Sequence, residues 1–286
     1  MMKVETFFDK DTSTFTYIVI DESTDKCAVI DSVLDYDQYS GRFTTKSADK
    51  IIEYIRTNNL TNEWILETHI HADHITAAFY LQKQIGGKTA IGSKITDVLK
   101  LWVPLFATEE DTPITGEQFD VLFEDSETFS IGNLDAKVMH TPGHTPACST
   151  YLIGDSVFVG DTLFAPERGT ARADFPGGNA SDLFESIQKI YRLPDETKIY
   201  LCHDYPTVNE EAISQTTVAE QKQLNAMIKT GTKKKDYILM RETRDKTLSV
   251  PKLILPSIQT NLRLGNFGKV SKNGNQYIKI PINKIQ

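Results

Sequence analysis

Thr68-His69-Ile70-His71-Ala72-Asp73-His74 places four metal-ligand side chains within six residues. Imidazole and carboxylate are donors that suit zinc, iron and manganese. The apolar stretch Trp64 to Glu67 just ahead reads as a short buried strand. In the extended chain beyond it, positions i and i+2 point the same way, so His69 and His71 can face one centre. Asp73 and His74, where the chain starts to coil, can face a neighbouring one. The chain has only six histidines, and all lie in three short blocks: this one, His140 with His144, and His203. A polar loop of hydrogen-bonded histidines would explain a lone His, but not this string.

The remaining blocks follow apolar segments in the same way. His140 follows Ala136 to Met139, Asp161 follows Val157 to Gly160, and His203 follows Ile199 to Cys202. Strand ends that converge on one cleft present ligands from distant parts of a chain on a rigid support. Asp161 could bind one metal or bridge two. His144 sits in the turn sequence Pro142-Gly143-His144-Thr145 and reads as a residue that supports the ligands, the Pro-Gly turn holding His140 in place.

Around these blocks the chain alternates strands and helices. Thr16–Ile20 and Lys26–Ile30 read as a β-hairpin across the turn-rich DESTD. A helix is expected over about 48–58, with Ser47 as N-cap and Ile51, Ile52 and Ile55 on one face. A second is expected from Asp73 to the stop at Gly86-Gly87, then a strand over 88–92. The middle of the chain reads as short strands and turns. A helix with Leu183, Phe184, Ile187 and Ile190 follows Ser181, and another segment runs to about Lys229. The run Lys233-Lys234-Lys235 reads as a solvated face.

Composition bounds the class. The chain has 286 residues, 40% apolar and 24% charged, which is ordinary for a globular protein with one or two domains. Its 39 acidic and 31 basic side chains give a net charge of −8, which argues against a nucleic-acid-coating surface. No apolar run is long enough to span a bilayer, and the N-terminus lacks the apolar stretch of a signal peptide. Cys27, Cys148 and Cys202 form no CxxC pair and read as reduced and buried. A cytoplasmic protein with no nucleic-acid or membrane partner is expected.

THIHADH, HTPGHTPA, the aspartate of FVGDTLF and the histidine of LCHDY, in this order and spacing, resemble the metallo-β-lactamase fold superfamily. The resemblance covers about residues 1–225 and implies an α+β fold. Two mixed sheets would be covered by helices in an αββα sandwich, with the metal site at one edge. Within the superfamily, GTARADFPGG (169–178), LPDETKIYLCHDY (193–205) and TTVAEQKQLN (216–225) are most similar to the persulfide dioxygenases, the ethylmalonic encephalopathy protein-like family. The tail, with Arg241-Glu242-Thr243-Arg244-Asp245 and LPSIQTNLRLG (255–265), looks like a longer bacterial branch. A catalytic domain over 1–230 is expected, and an extension over 231–286 packed on it or on a neighbouring subunit.

The resemblance implies one Fe(II) per subunit, held by His69, His140 and Asp161, with zinc as a substitute. His71, Asp73, His74 and His203 would support that ion or mark a second metal position. Arg172 matches an arginine at the active-site entrance. The implied reaction is oxidation of glutathione persulfide by O2 to sulfite and glutathione, in a homodimer that serves sulfide metabolism. Two histidines and one carboxylate leave open positions on iron, as non-haem oxygenases require. The rival is a thioester hydrolase of the glyoxalase II type, using two metals and all seven ligands. Against it, the last 80 residues lack the patterns of that family's glutathione-binding domain. A non-catalytic metal sensor would need a degraded ligand set. Class B β-lactamase activity disagrees with a cytoplasmic chain, since those enzymes are exported.

Overall fold

The computed structural model describes residues 1–208 and 210–285. Sheet one is ordered β1-β2-β3-β6-β7-β8. Its strands are β1 (Met2–Asp9), β2 (Thr14–Asp21), β3 (Lys26–Ile30), β6 (Thr61–Leu66), β7 (Lys88–Gly92) and β8 (Val121–Phe123). The first three are antiparallel, and β3, β6, β7 and β8 run parallel. A small ribbon, β4 (Asp35–Asp37) with β5 (Arg42–Thr44), stands apart. Sheet two is ordered β14-β13-β12-β11-β10-β9. It comprises β9 (Thr128–Ile131), β10 (Leu134–His140), β11 (Ser149–Ile153), β12 (Ser156–Phe158), β13 (Lys198–Tyr200) and β14 (Gln215–Thr217).

Both faces of each sheet are covered, so their strands read as continuous apolar runs and alternate residues go to different cores. Tyr17, Val19, Ala28, Ile30 and Leu66 meet Val138, Tyr151, Ile153 and Phe158 between the sheets. The intervening Ile18, Ile20, Cys27, Val29 and Ile65 face the helices α1 (Lys46–Thr57), α2 (Ala78–Ile85), α3 (Ile95–Phe106) and α7 (Ile254–Asn261). On the far side, Val157 and Ile199 pack under α4 (Ala180–Tyr191), α5 (Val218–Leu224) and α6 (Lys234–Asp245). This is the αββα sandwich that the resemblance implies. Among the described residues, no helix is long and apolar enough to cross a membrane.

Several local expectations shift. Helix α1 starts at Lys46, two residues earlier than Ser47 allows as a cap. Ser47 lies inside it, its hydroxyl donating to Asp35 Oδ1 at 2.8 Å. The helix expected from Asp73 begins only at Ala78, because residues 73–77 are drawn out to present ligands. Helix α3 was not expected, although Ile95, Val98, Leu99, Trp102, Val103 and Phe106 have helical spacing and are buried. The segment read as helical to Lys229 is helix only over α5, which Thr217 and Glu220 open with a capping box.

The tail supplies α6 and α7. Ile254, Ile258, Leu262 and Leu264 enter the core beneath sheet one. Buried Asn261, the last residue of α7, reaches the ligand loop. Its Nδ2 donates to the carbonyls of His71 and His74, both at 2.8 Å, and its Oδ1 accepts from the Thr76 amide at 2.9 Å. Asn261→Ala removes all three bonds and strands buried backbone groups. It should cost about 3 kcal/mol or more of stability. Chemical denaturation checks this, and an unshifted midpoint would show that water replaces the amide.

Candidate metal centre

Four chain segments meet at one edge of the sandwich. The loop after β6 brings His69, His71, Asp73 and His74. The 3-10 turn Gly160–Thr162 after β12 brings Asp161. The end of β13 leads to His203, and the turn between β10 and β11 brings His144. Two close approaches need glycine. Gly160 has φ +53°, and a Cβ there would lie 2.5 Å from Thr68 Oγ1. Gly143 has φ +141°, and a Cβ would lie 2.3 Å from the Leu183 backbone at the start of α4.

The donors form two adjoining groups. His69, His144 and Asp161 offer atoms within 4.8 Å of one another, as do His71, Asp73, His74 and His203. Asp161 joins them: its Oδ2 lies 3.9 Å from His69 Nε2 and 3.7 Å from His144 Nε2, and its Oδ1 lies 3.3 Å from His203 Nε2. His203 Nε2 is also 3.0 Å from Asp73 Oδ2. Ligands at about 2.1 Å from one ion stand roughly 3 Å or slightly more from each other. These separations suit a metal.

The outward ring nitrogens fix which atom faces in. His69 Nδ1 donates to Thr68 Oγ1 at 3.0 Å, and that hydroxyl donates in turn to Asp31 at 2.8 Å. His144 Nδ1 donates to the Arg172 carbonyl at 2.8 Å, and His203 Nδ1 to the Ser13 carbonyl at 3.1 Å. Each ring is left with an Nε2 lone pair toward the cleft. His71 is reversed. Its Nε2 donates to Asp31 Oδ1 at 3.1 Å and lies 3.3 Å from Glu67 Oε2.

Electrostatics follow from burial and crowding. His69 is held well below the ordinary histidine range by burial and by the imidazoles around it. Burial opposes a charge on His71, yet Asp31 and Glu67 push it well above that range. Glu67 is raised by burial, whereas Asp31 is lowered by His71 despite burial. Burial would raise Asp73 too, but His203 and His74 bring it down. His69 Nε2, His71 Nδ1, His74 Nε2, His203 Nε2 and Asp161 Oδ1 are buried without a hydrogen-bond partner. Leaving such atoms unpaired costs about 1–3 kcal/mol each. A bound cation would satisfy them together, so the donor set fits a metal ion.

The structure corrects the expected triad. His140, the last residue of β10, turns away from the cleft. Its Nε2 donates to the Phe123 carbonyl at 2.9 Å, and its backbone amide to Asp125 at 2.7 Å. The Pro142-Gly143 turn carries the chain past it and delivers His144, so His144 stands where His140 was expected. Asp31 and Glu67 were also missed; the only sign of them was a carboxylate directly after each of two apolar strands. Arg172 does border the cleft, but its guanidinium is taken by Asp174 at 2.6 and 2.8 Å and by the Ser249 carbonyl at 2.7 Å.

A cavity of about 340 Å³ opens above Asp73, His144 and Asp161, walled by Phe164, Phe175, Tyr205 and Met227. That volume lies in the range of small-molecule sites, about 300–1,000 Å³. His144→Ala should lose most bound metal and His140→Ala should keep it, as elemental analysis after anaerobic loading would show. Equal retention by both variants would break the assignment of His144.

Comparison with known proteins agrees with this geometry. Residues 10–203 match the metallo-beta-lactamase superfamily. The chain is 50% identical over 286 residues to "Glyoxylase B2" of Dictyostelium discoideum, covering 99% of this chain and 98% of that protein. It is 44% identical to a "Probable metallo-hydrolase" of Burkholderia pseudomallei, over 99% of this chain and 100% of the relative. It is 29% identical to human "Persulfide dioxygenase ETHE1, mitochondrial", over 76% of this chain and 72% of the relative. The crystal structure of ETHE1 from Myxococcus xanthus aligns with a TM-score of 0.75 at 30% identity, covering 93% of this chain and 100% of that one. With the family matched over most of its length and the metal ligands gathered at the sandwich edge, this chain belongs to the metallo-beta-lactamase superfamily.

Proposed function

We propose that this enzyme oxidises glutathione persulfide with dioxygen at one ferrous ion held by His69, His144 and Asp161. The observation that carries the reading is the position of loop 169–178, the stretch most similar to the persulfide dioxygenases. Its Arg172 carbonyl fixes the His144 ring, and its Thr170, Ala171, Arg172 and Phe175 line the cavity above the ligands. One loop thus ties the cleft to the ligand set. The likeness to the Myxococcus and human proteins supports the same reading.

Bound there, ferrous iron would supply redox capacity and open coordination positions. The chain's own residues do the rest. His69 Nδ1 keeps its proton and donates it to Thr68 Oγ1, and His144 Nδ1 donates likewise to the Arg172 carbonyl, so both rings keep a fixed tautomer. Asp161 brings negative charge that offsets the cation. Phe164, Phe175 and Tyr205 keep bulk water from the reacting sulfur. The balanced reaction consumes one persulfide, one dioxygen and one water, and releases one glutathione, one sulfite and two protons. Three buried, unpaired cysteines support work in a reducing cytoplasm. A homodimer is part of the same reading.

A second reading has a specific observation behind it. His71, Asp73, His74 and His203 form an intact second donor group, and Asp161 touches both groups. That arrangement suits a two-metal thioester hydrolase, to which the names of the Dictyostelium and Burkholderia relatives also point.

Anaerobically iron-loaded protein should take up oxygen on adding glutathione persulfide, with sulfite formed in equal amount. No uptake with full iron, together with hydrolysis of a glutathione thioester, would replace the first reading by the second. His203→Ala separates them independently. The dioxygenase should keep one iron and most oxygen uptake, whereas the hydrolase should lose its second ion and its activity.

A further inference from the structure

Four arginines border the cavity above the metal ligands, and three are engaged. Arg172 is held by Asp174. Arg241 is buried, with Nη2 2.6 Å from Asp245 Oδ1 and Nη1 donating to the Thr170 carbonyl at 2.9 Å, so it fastens α6 to loop 169–178. Arg168 lies 3.6 Å from both Asp204 and Glu210. Arg244 differs. Among the described residues no carboxylate lies within ion-pair reach of it, and its side chain makes one long contact, Nη1 to Thr247 Oγ1 at 3.5 Å. It is exposed, one turn along α6 from the anchored Arg241, so its guanidinium reaches the cavity from a fixed helix.

We propose that Arg244 is the specificity-determining residue that takes a carboxylate of the thiol carrier. The identity of that carrier as glutathione rests on the function proposed above. A guanidinium binds a carboxylate through two parallel hydrogen bonds, a geometry an ammonium cannot copy. Leu248, Pro251 and Met227 beside it offer an apolar wall for the carrier's carbon and sulfur atoms. The donor cluster thus receives the sulfur at the cavity floor while the C-terminal segment reads the charged end. Arg172, the arginine singled out by motif, is already neutralised and holds the loop instead.

Calorimetry with plain glutathione tests this without turnover. Arg244→Gln should weaken binding about tenfold, the loss expected for one charge-assisted contact at an exposed site. Arg244→Lys should recover only part of it. Lys246→Gln removes the same charge from a residue outside the cavity and should bind as the parent does. Glutathione with both carboxylates amidated should bind the parent as weakly as Arg244→Gln binds glutathione. In oxygen-uptake assays the Arg244→Gln loss should lie in KM. Unaltered glutathione affinity in Arg244→Gln would overturn the assignment. Lost affinity in a protein that shows no oxygen uptake would leave Arg244 standing and remove the dioxygenase reading alone.

Discussion

Seven donor side chains turned toward one another, five imidazoles and two carboxylates, would not stay in a buried site unaided. Four of the five imidazole lone pairs, those of His69, His71, His144 and His203, are fixed because the other ring nitrogen is tied down elsewhere. Thr68, the Arg172 carbonyl, the Ser13 carbonyl and the Asp31–Glu67 pair do this from four different parts of the chain. The sandwich is the scaffold that lets such distant groups meet. Parallel strands ending side by side deliver the ligands, and the layers behind them deliver the groups that orient those ligands. With a cation bound, repulsion among the donors becomes coordination, so the ion contributes to the stability of this edge as well as to chemistry.

The two halves of the site are unequal in their surroundings. His71 sits over two buried carboxylates, whereas His69 and His144 rest on a hydroxyl and a carbonyl. Negative charge is thus concentrated behind the His71 quartet. Asp161 lies between the groups, so a change in either is felt by the other. The same residues thus offer places for one ion or for two.

The layered fold was legible because alternation along buried strands and spacing along helices are local properties. Ile18 and Ile20 against Tyr17 and Val19 already divide two cores. Most of the ligand set was legible because HxHxDH is compact. The choice between His140 and His144 was not, since a strand-end histidine and a turn histidine four residues apart look equally able to reach a cleft. Only the path of the Pro-Gly turn against α4 decides between them. Asn261 was silent for a related reason: the backbone groups it binds lie far away in sequence. Helix α3, by contrast, had a readable apolar stripe and was overlooked among short strands.

Asn261 gives the site a place in time as well as in space. The loop of His71 and His74 is fastened by a residue made almost two hundred positions later. During synthesis the segment that carries His71 and His74 is made long before the residue that fastens it. The pocket acquires its final shape only when α7 docks. The ligand loop therefore depends on the C-terminal segment for its hold, and a chain cut short before Asn261 would lack it.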